Sequence, residues 1–232
     1  MKKILIIALI MLITTACSAT PSNQENKEKG LAFNYTDGID KESVEQAGVD
    51  GDFAYDISNP AELKNNATDI FVATVNSVDS ATCNLAGYEY SPIPYTLGKL
   101  EIVKSYVGNA KGTIDFTRMG GTVTMEEYNR NAPTSAVEKR KQLQASSGKA
   151  EAQYMHVAFN GDIELLAGKT YLFYARFNET YNRYEILGYE YGSRIIEGFN
   201  AKARTANNEA TILNNKTGEK ENFDAYVQNY LK

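Results

Sequence analysis

Residues 70–78 read Ile-Phe-Val-Ala-Thr-Val-Asn-Ser-Val, a run rich in β-branched residues that predicts a strand. Residues 95–107 predict a second, longer strand with alternating side chains. A cluster of turn residues at 108–112 follows it, and such short connections favour antiparallel pairing of neighbouring strands. These stretches indicate a domain that is built mainly from β-strands.

The rest of the chain continues this pattern. Further strands are predicted at 113–119, 154–159, 171–177, 183–191, 194–203 and 210–213, and helices at 59–66, at 125–152 in one or two pieces, and at 220–231. In the strand at 171–177, the face that carries Arg176 is expected to point outward. The order of elements predicts a mainly β (α+β) fold, a small OB-like antiparallel β-barrel with an inserted helical excursion and a C-terminal helix. An eight-stranded lipocalin-like barrel is the alternative.

The N-terminus has the pattern of a secretory signal. Two lysines precede a short apolar run at 4–13, which is too short to cross a bilayer as a helix. The sequence Thr14-Thr15-Ala16-Cys17 resembles the lipobox of bacterial lipoproteins. That resemblance implies a signal peptide at 1–16 and lipidation of Cys17, as with palmitate, so that the mature chain faces outside the cytoplasm and is anchored in the cell membrane. Cleavage after Ala19, which would release a secreted protein, is the alternative.

The predicted domain organisation follows from composition. Residues 17–30 contain the lipidated cysteine and a tether without large apolar side chains, residues 31–58 are expected to be irregular and acidic, and residues 59–232 form the barrel domain with its C-terminal helix. The chain has a net charge of −5; without the two leader lysines it has 22 basic and 29 acidic residues, a net charge of −7. An acidic chain outside the cytoplasm is a poor partner for phosphate backbones, so nucleic acid is not an expected ligand.

Residue counts restrict the possible chemistry. One histidine and two cysteines exclude histidine-based metal clusters and disulfide scaffolds, and we expect no metal site and no cofactor. Cys83 is expected to be a buried, inert thiol, and His156 to be packed or edge-exposed on the strand at 154–159. We assign no catalytic residue and expect no enzymatic activity. An envelope hydrolase that uses paired carboxylates is the alternative, with candidates Glu126, Glu127, Glu179, Glu185 and Glu190.

Several stretches resemble a group of Gram-positive secreted and lipoprotein domains. The stretches are Glu62-Leu63 with 69–75, then 100–109 with Gly112 and Gly120-Gly121, then 165–174, and finally 214–219 before the last helix. The resemblance covers roughly residues 59–231 and implies the OB-like barrel. It implies no activity, because the group has none assigned.

The sequence therefore favours a non-enzymatic binding or interaction module of the cell envelope. A protein, a peptide or a glycan is the expected ligand, and a structural or immunity-type shielding lipoprotein is a further alternative. The loop at 84–94 holds Tyr88 and Tyr90, and Tyr95 follows it. We expect these three tyrosines to form a ligand surface, because tyrosine offers a flat contact and a hydroxyl at low entropic cost. The alternative is that they fold back and cap one end of the barrel.

Overall fold

The computed structural model describes residues 32–85, 90–148, 150–200 and 205–232, with the backbone alone at 205–208. The strands are β1 Phe33–Asn34, β2 Val44–Val49, β3 Asp69–Thr82, β4 Tyr95–Val107, β5 Gly112–Met119, β6 Gly121–Thr124, β7 Tyr154–Phe159, β8 Thr170–Asn178, β9 Arg183–Ile186, β10 Ser193–Asn200, β11 Thr205–Leu213 and β12 Lys220–Asn222. The helices are α1 Pro60–Asn66, α2 Met125–Asn129, α3 Thr134–Ser147, α4 Tyr189–Gly192 and α5 Phe223–Tyr226, with a 3-10 turn at Lys41–Ser43 and a π-helical turn at Val227–Leu231. The described chain is mainly β, as predicted.

Five strands pair in a closed circuit. β3 pairs with both β4 and β8, β4 pairs with β5, β5 with β9, and β9 with β8. In a closed circuit with an odd number of strands, strand direction cannot alternate at every pair. The β5–β9 pair is accordingly parallel. β3 shows four register shifts against β4, irregularities of the kind that bend a strand so that it can serve two neighbours.

The remaining strands extend this circuit. β10, β11 and β12 continue antiparallel from β8, and β1 adds to β3 in parallel. A separate three-stranded sheet has the order β2-β7-β6, with β2 parallel to β7. The expectation that residues 31–58 are irregular is therefore wrong for β1 and β2, because partners distant in sequence supply the backbone hydrogen bonds that these short segments could not make alone. The expectation of purely antiparallel pairing is wrong at the three parallel pairs.

Both faces of β8 are buried. Tyr171 and Phe173 lie in one core inside the circuit, together with Phe71 and Phe116. Leu172 and Tyr174, on the opposite face, belong to a second core. This outer core includes Ile70, Val72, Leu63, Ile212, Phe223 and Tyr226. The expectation that the face with Arg176 points outward is therefore correct only at Arg176 itself, because α1, α5 and β11 cover the rest of that face.

Two elements are shorter than the sequence predicts. The strand expected at 183–191 stops at Ile186, because Gly188 and Tyr189 have φ values of 68° and 48° that leave the extended conformation. The helix expected at 220–231 begins only at Phe223, because residues 220–222 pair with β11. The Asn222 side chain then accepts a hydrogen bond from the Ala225 N–H and starts α5.

The insertion between β5 and β8 contains the predicted pair of helices. The Thr124 hydroxyl accepts a hydrogen bond from the Glu127 N–H at the start of α2, and Pro133 precedes α3. α3 has no buried residue, which agrees with the expected surface excursion. Among the described residues, no helix has the length and apolar content that a membrane crossing requires.

Candidate ligand cleft

The structure describes two of the three tyrosines expected to bind ligand, and these two lie in different surroundings. Tyr88 lies outside the described residues. Tyr90 packs against the small core of the β2-β7-β6 sheet, near Cys83 and Tyr128, and burial raises the pKa of its hydroxyl to about 12. Tyr95, at the start of β4, lines a separate cleft of about 240 Å³. Of the two tyrosines that the structure describes, only Tyr95 therefore borders this cleft.

We call this cavity the aromatic cleft. Its floor is formed by Thr117 and Glu185, and Arg118 lies beside Thr117. Aromatic and apolar side chains from four stretches of the chain surround the floor: Phe53, Tyr55, Tyr95, Met119, Leu187 and Tyr189. The cleft thus draws on the segment before α1, the start of β4, the end of β5 and the residues after β9.

The register between β5 and β9 brings the two floor residues together. Thr117 of β5 and Glu185 of β9 are Cα partners in the parallel pair, so their side chains lie next to each other on the outer face. The preceding pair, Phe116 and Tyr184, packs towards the inner core. The Glu185 Oε1 accepts a hydrogen bond of 2.7 Å from Asn178 Nδ2. Thr117 is only 1% exposed. Its Oγ1 is buried and has no hydrogen-bond partner among the described residues.

The aromatic side chains pack against one another at one wall. The Tyr189 ring centroid lies 4.0 Å from that of Phe159 and 5.2 Å from that of Phe53. Tyr189 reaches this position through the left-handed backbone at Gly188 and Tyr189. A Cβ atom at position 188 would approach Leu63 Cδ2 to 2.5 Å, so the close packing of α1 requires glycine there.

The Tyr189 hydroxyl is a hydrogen-bond donor at neutral pH. Burial, followed by the nearby Asp162 carboxylate, raises its pKa to about 12. The hydroxyl donates to the Met119 sulfur at 3.4 Å. The wall of the cleft is therefore uncharged under ordinary conditions.

Arg118 forms a buried ion pair behind the floor. Its side chain is 7% exposed, its Nη2 donates to Asp162 Oδ1, and its Nε donates to Ser193 Oγ at 3.3 Å. Asp162 Oδ1 also accepts from the Ile163 N–H at 2.8 Å. Arg118 Nη1 has no acceptor among the described residues. Arg118 also borders a smaller cavity of about 80 Å³, where His156 Nδ1 lies 2.9 Å from Thr122 Oγ1.

The carboxyl groups considered for hydrolysis do not converge on one cavity. Glu185 lines the aromatic cleft, whereas Glu190 lines a different cavity beside Arg194 and Tyr226. Burial, and then the charge of Asp162, raises the pKa of Glu190. Glu127 accepts hydrogen bonds from Thr82, the Cys83 N–H and Asn84, which fixes the end of β3. Of the five glutamates considered, no two therefore line the same described cavity.

The two other side chains considered for reactivity, Cys83 and His156, lie on or beside the β2-β7-β6 sheet. Cys83 is fully buried, as predicted, and burial together with Glu127 raises the pKa of its thiol to about 12. His156 lies on β7, as predicted, and is half-buried there. Within the described ranges, no group of three or more histidine, cysteine or acidic side chains is arranged to hold a metal ion.

Comparisons of the chain with protein families, curated proteins and solved structures found no match. The cleft and its residues are therefore the basis for any functional conclusion.

Proposed function

We propose that the protein is a lipid-anchored, extracytoplasmic binding protein without enzymatic activity, and that it takes its envelope ligand in the aromatic cleft. The ligand is a protein, a peptide or a glycan of the cell envelope. The anchor is Cys17, behind the signal peptide at 1–16, and residues 17–30 connect it to the folded part. All of these N-terminal residues lie outside the described ranges, and their support is the sequence pattern alone.

We also propose that the five-strand circuit is an OB-like barrel. In chain order the circuit runs first, second, third, fifth and fourth strand, and then returns to the first. The helical insertion lies between the third and fourth strands, in keeping with a five-stranded Greek-key barrel. The aromatic cleft lies on the outer face of the third and fifth strands.

The observation that carries the binding proposal is the unpartnered Thr117 hydroxyl beside aromatic side chains. Buried polar groups nearly always have hydrogen-bond partners, and leaving one unpaired costs about 1–3 kcal/mol. A ligand in the cleft would supply that partner. The aromatic walls would contribute apolar contact area around it.

Sedimentation with insoluble bacterial cell envelopes tests the proposal. The full chain, purified in detergent, is mixed with envelopes, and the fraction that pellets is measured. We expect Thr117→Val and Tyr95→Ala to lower retention, while Thr113→Val, an exposed position on the same strand, leaves it unchanged. Thermal melts of all three variants show that each is folded. Equal retention of Thr117→Val and the wild type would reject the cleft as the ligand site.

A further inference from the structure

The polar groups of the aromatic cleft require a ligand that both donates and accepts hydrogen bonds. The Thr117 hydroxyl can do either, and Arg118 Nη1 can only donate. Glu185 Oε2 can only accept, and no described residue donates to it. A hydroxyl group on the ligand can serve every one of these partners, because it is both a donor and an acceptor.

The charges around the cleft disfavour ionised ligands. The positive charge of Arg118 is matched by Asp162, and Glu185 lies directly opposite Arg176 in the β8–β9 pair. The charge of Arg176 also acts on Tyr55 of the cleft. The charges at the cleft therefore come in pairs of opposite sign, so an anionic ligand would meet the carboxylate of Glu185 as well as the cation opposite it. A cationic ligand such as an ammonium group has no acceptor for Arg118 Nη1. An uncharged polar ligand satisfies both conditions.

The rings form a wall rather than a cage. Tyr189 packs against both Phe159 and Phe53, so these rings share part of their faces with each other. A cation-binding cage needs open ring faces on several sides. A wall of packed rings instead suits a flat, partly apolar ring such as the C–H face of a sugar. Its hydroxyl edge could then face the polar floor.

Backbone pairing disfavours an extended peptide. Both floor strands are already paired on both sides: β5 with β4 and β9, and β9 with β5 and β8. A peptide therefore finds no free strand edge beside the floor residues for strand addition. The cavity of about 240 Å³ is also smaller than the roughly 300–1,000 Å³ typical of drug-sized ligands, so a single ring is the unit that enters.

We infer that the aromatic cleft binds one ring of an uncharged saccharide, an inference that rests on the proposed binding function. The ring stacks on the wall that includes Tyr189, and its hydroxyls bond to Thr117, Arg118 and Glu185. No covalent step is involved.

A glycan array that carries neutral, acidic and amine-bearing oligosaccharides tests this inference. The probe is the full chain in detergent, labelled with a fluorophore. We expect binding to neutral glycans only, weakened about five- to tenfold in Thr117→Val, which corresponds to one lost hydrogen bond. Glu185→Gln should admit acidic glycans, whereas Glu179→Gln, in the exposed turn after β8, should not.

The array and the sedimentation experiment together separate the two proposals. Binding confined to charged glycans, or neutral binding that is unchanged in Thr117→Val, would overturn the saccharide assignment. If no glycan binds but envelope retention still depends on Thr117, the cleft is a binding site for another class of ligand. If neither signal depends on Thr117, the binding function and the saccharide assignment both fail.

Discussion

Glu190 is a buried carboxyl group whose protonation should affect folding. It is 9% exposed, and burial together with the Asp162 charge raises its pKa above the usual 4.5. The native state then holds the proton more tightly than the unfolded state. The contribution of this proton to stability is complete below pH 4.5 and is lost as the pH rises through the higher native pKa. Glu190→Gln should remove this dependence, so that the variant gains stability relative to the wild type as the pH rises.

Urea unfolding between acidic and neutral pH measures this effect. The control is Glu126→Gln, a solvent-exposed change at the start of α2. The free energy of unfolding of this control should change with pH in the same way as that of the wild type. If Glu190→Gln behaves in the same way, burial does not perturb the titration of Glu190.

At the scale of an element, β8 connects the two main cores. Phe173 is fully buried in the inner core, with its ring centroid 5.5 Å from that of Tyr171 and 6.1 Å from that of Phe71. Phe173→Ala should lower the free energy of unfolding by about 3–5 kcal/mol, as truncation of a buried phenylalanine usually does. Phe177 has the same residue type, strand and face but is 39% exposed, which makes it a matched control. Denaturant melts of both variants measure the difference.

The two alanine variants should differ clearly. We expect Phe177→Ala to lower the free energy of unfolding much less than Phe173→Ala does, because the Phe177 ring is already partly in solvent. A cost below about 1 kcal/mol for Phe173→Ala would contradict the register of β8 against β3.

The elements that the sequence predicts best are those with a strong local signal. The strands at 95–107 and 154–159 have the predicted bounds, and α1 follows the predicted cap at Asn59. The double burial of β8 could not be predicted, because alternation within one strand does not reveal a second layer from residues 194–231. Local pattern likewise gave no sign that β2, a short strand with one charged residue, would pair with β7 across more than a hundred residues.

Only part of the cleft was accessible to sequence reasoning. Tyr95 could be named as a candidate from the sequence, because it follows a proline-containing loop between two clearly predicted strands. Phe53, Thr117 and Tyr189 come from separate segments, and only the β5–β9 register and the turn after β9 bring them together. A polar Thr117-Arg118 pair at the end of a strand was visible in the sequence. That these side chains are buried is a property of the fold.

At the scale of the whole molecule, the negative charge of the chain opposes contact with a membrane, whereas the proposed lipid anchor would hold the chain there. Without the proposed signal peptide the chain has a net charge of −7, and the outward surface of a membrane with anionic lipids would repel it. The lipid that we propose on Cys17 would therefore have to hold the protein at the surface. Fourteen residues at 17–30 can reach about 45 Å when extended, enough to keep an acidic domain clear of the lipid headgroups.

Replacing the anchor residue tests this arrangement in cells. Cys17→Ala should abolish incorporation of labelled palmitate, and the protein should either keep its leader or appear in the medium, because one side chain carries the lipid. Cys83→Ala is the control: its thiol is fully buried, so this variant should remain labelled and membrane-bound. Labelling that persists in Cys17→Ala and disappears in Cys83→Ala would reverse the assignment. Membrane retention of unlabelled Cys17→Ala with its leader removed would show that the folded part binds the membrane without the lipid, despite its negative charge.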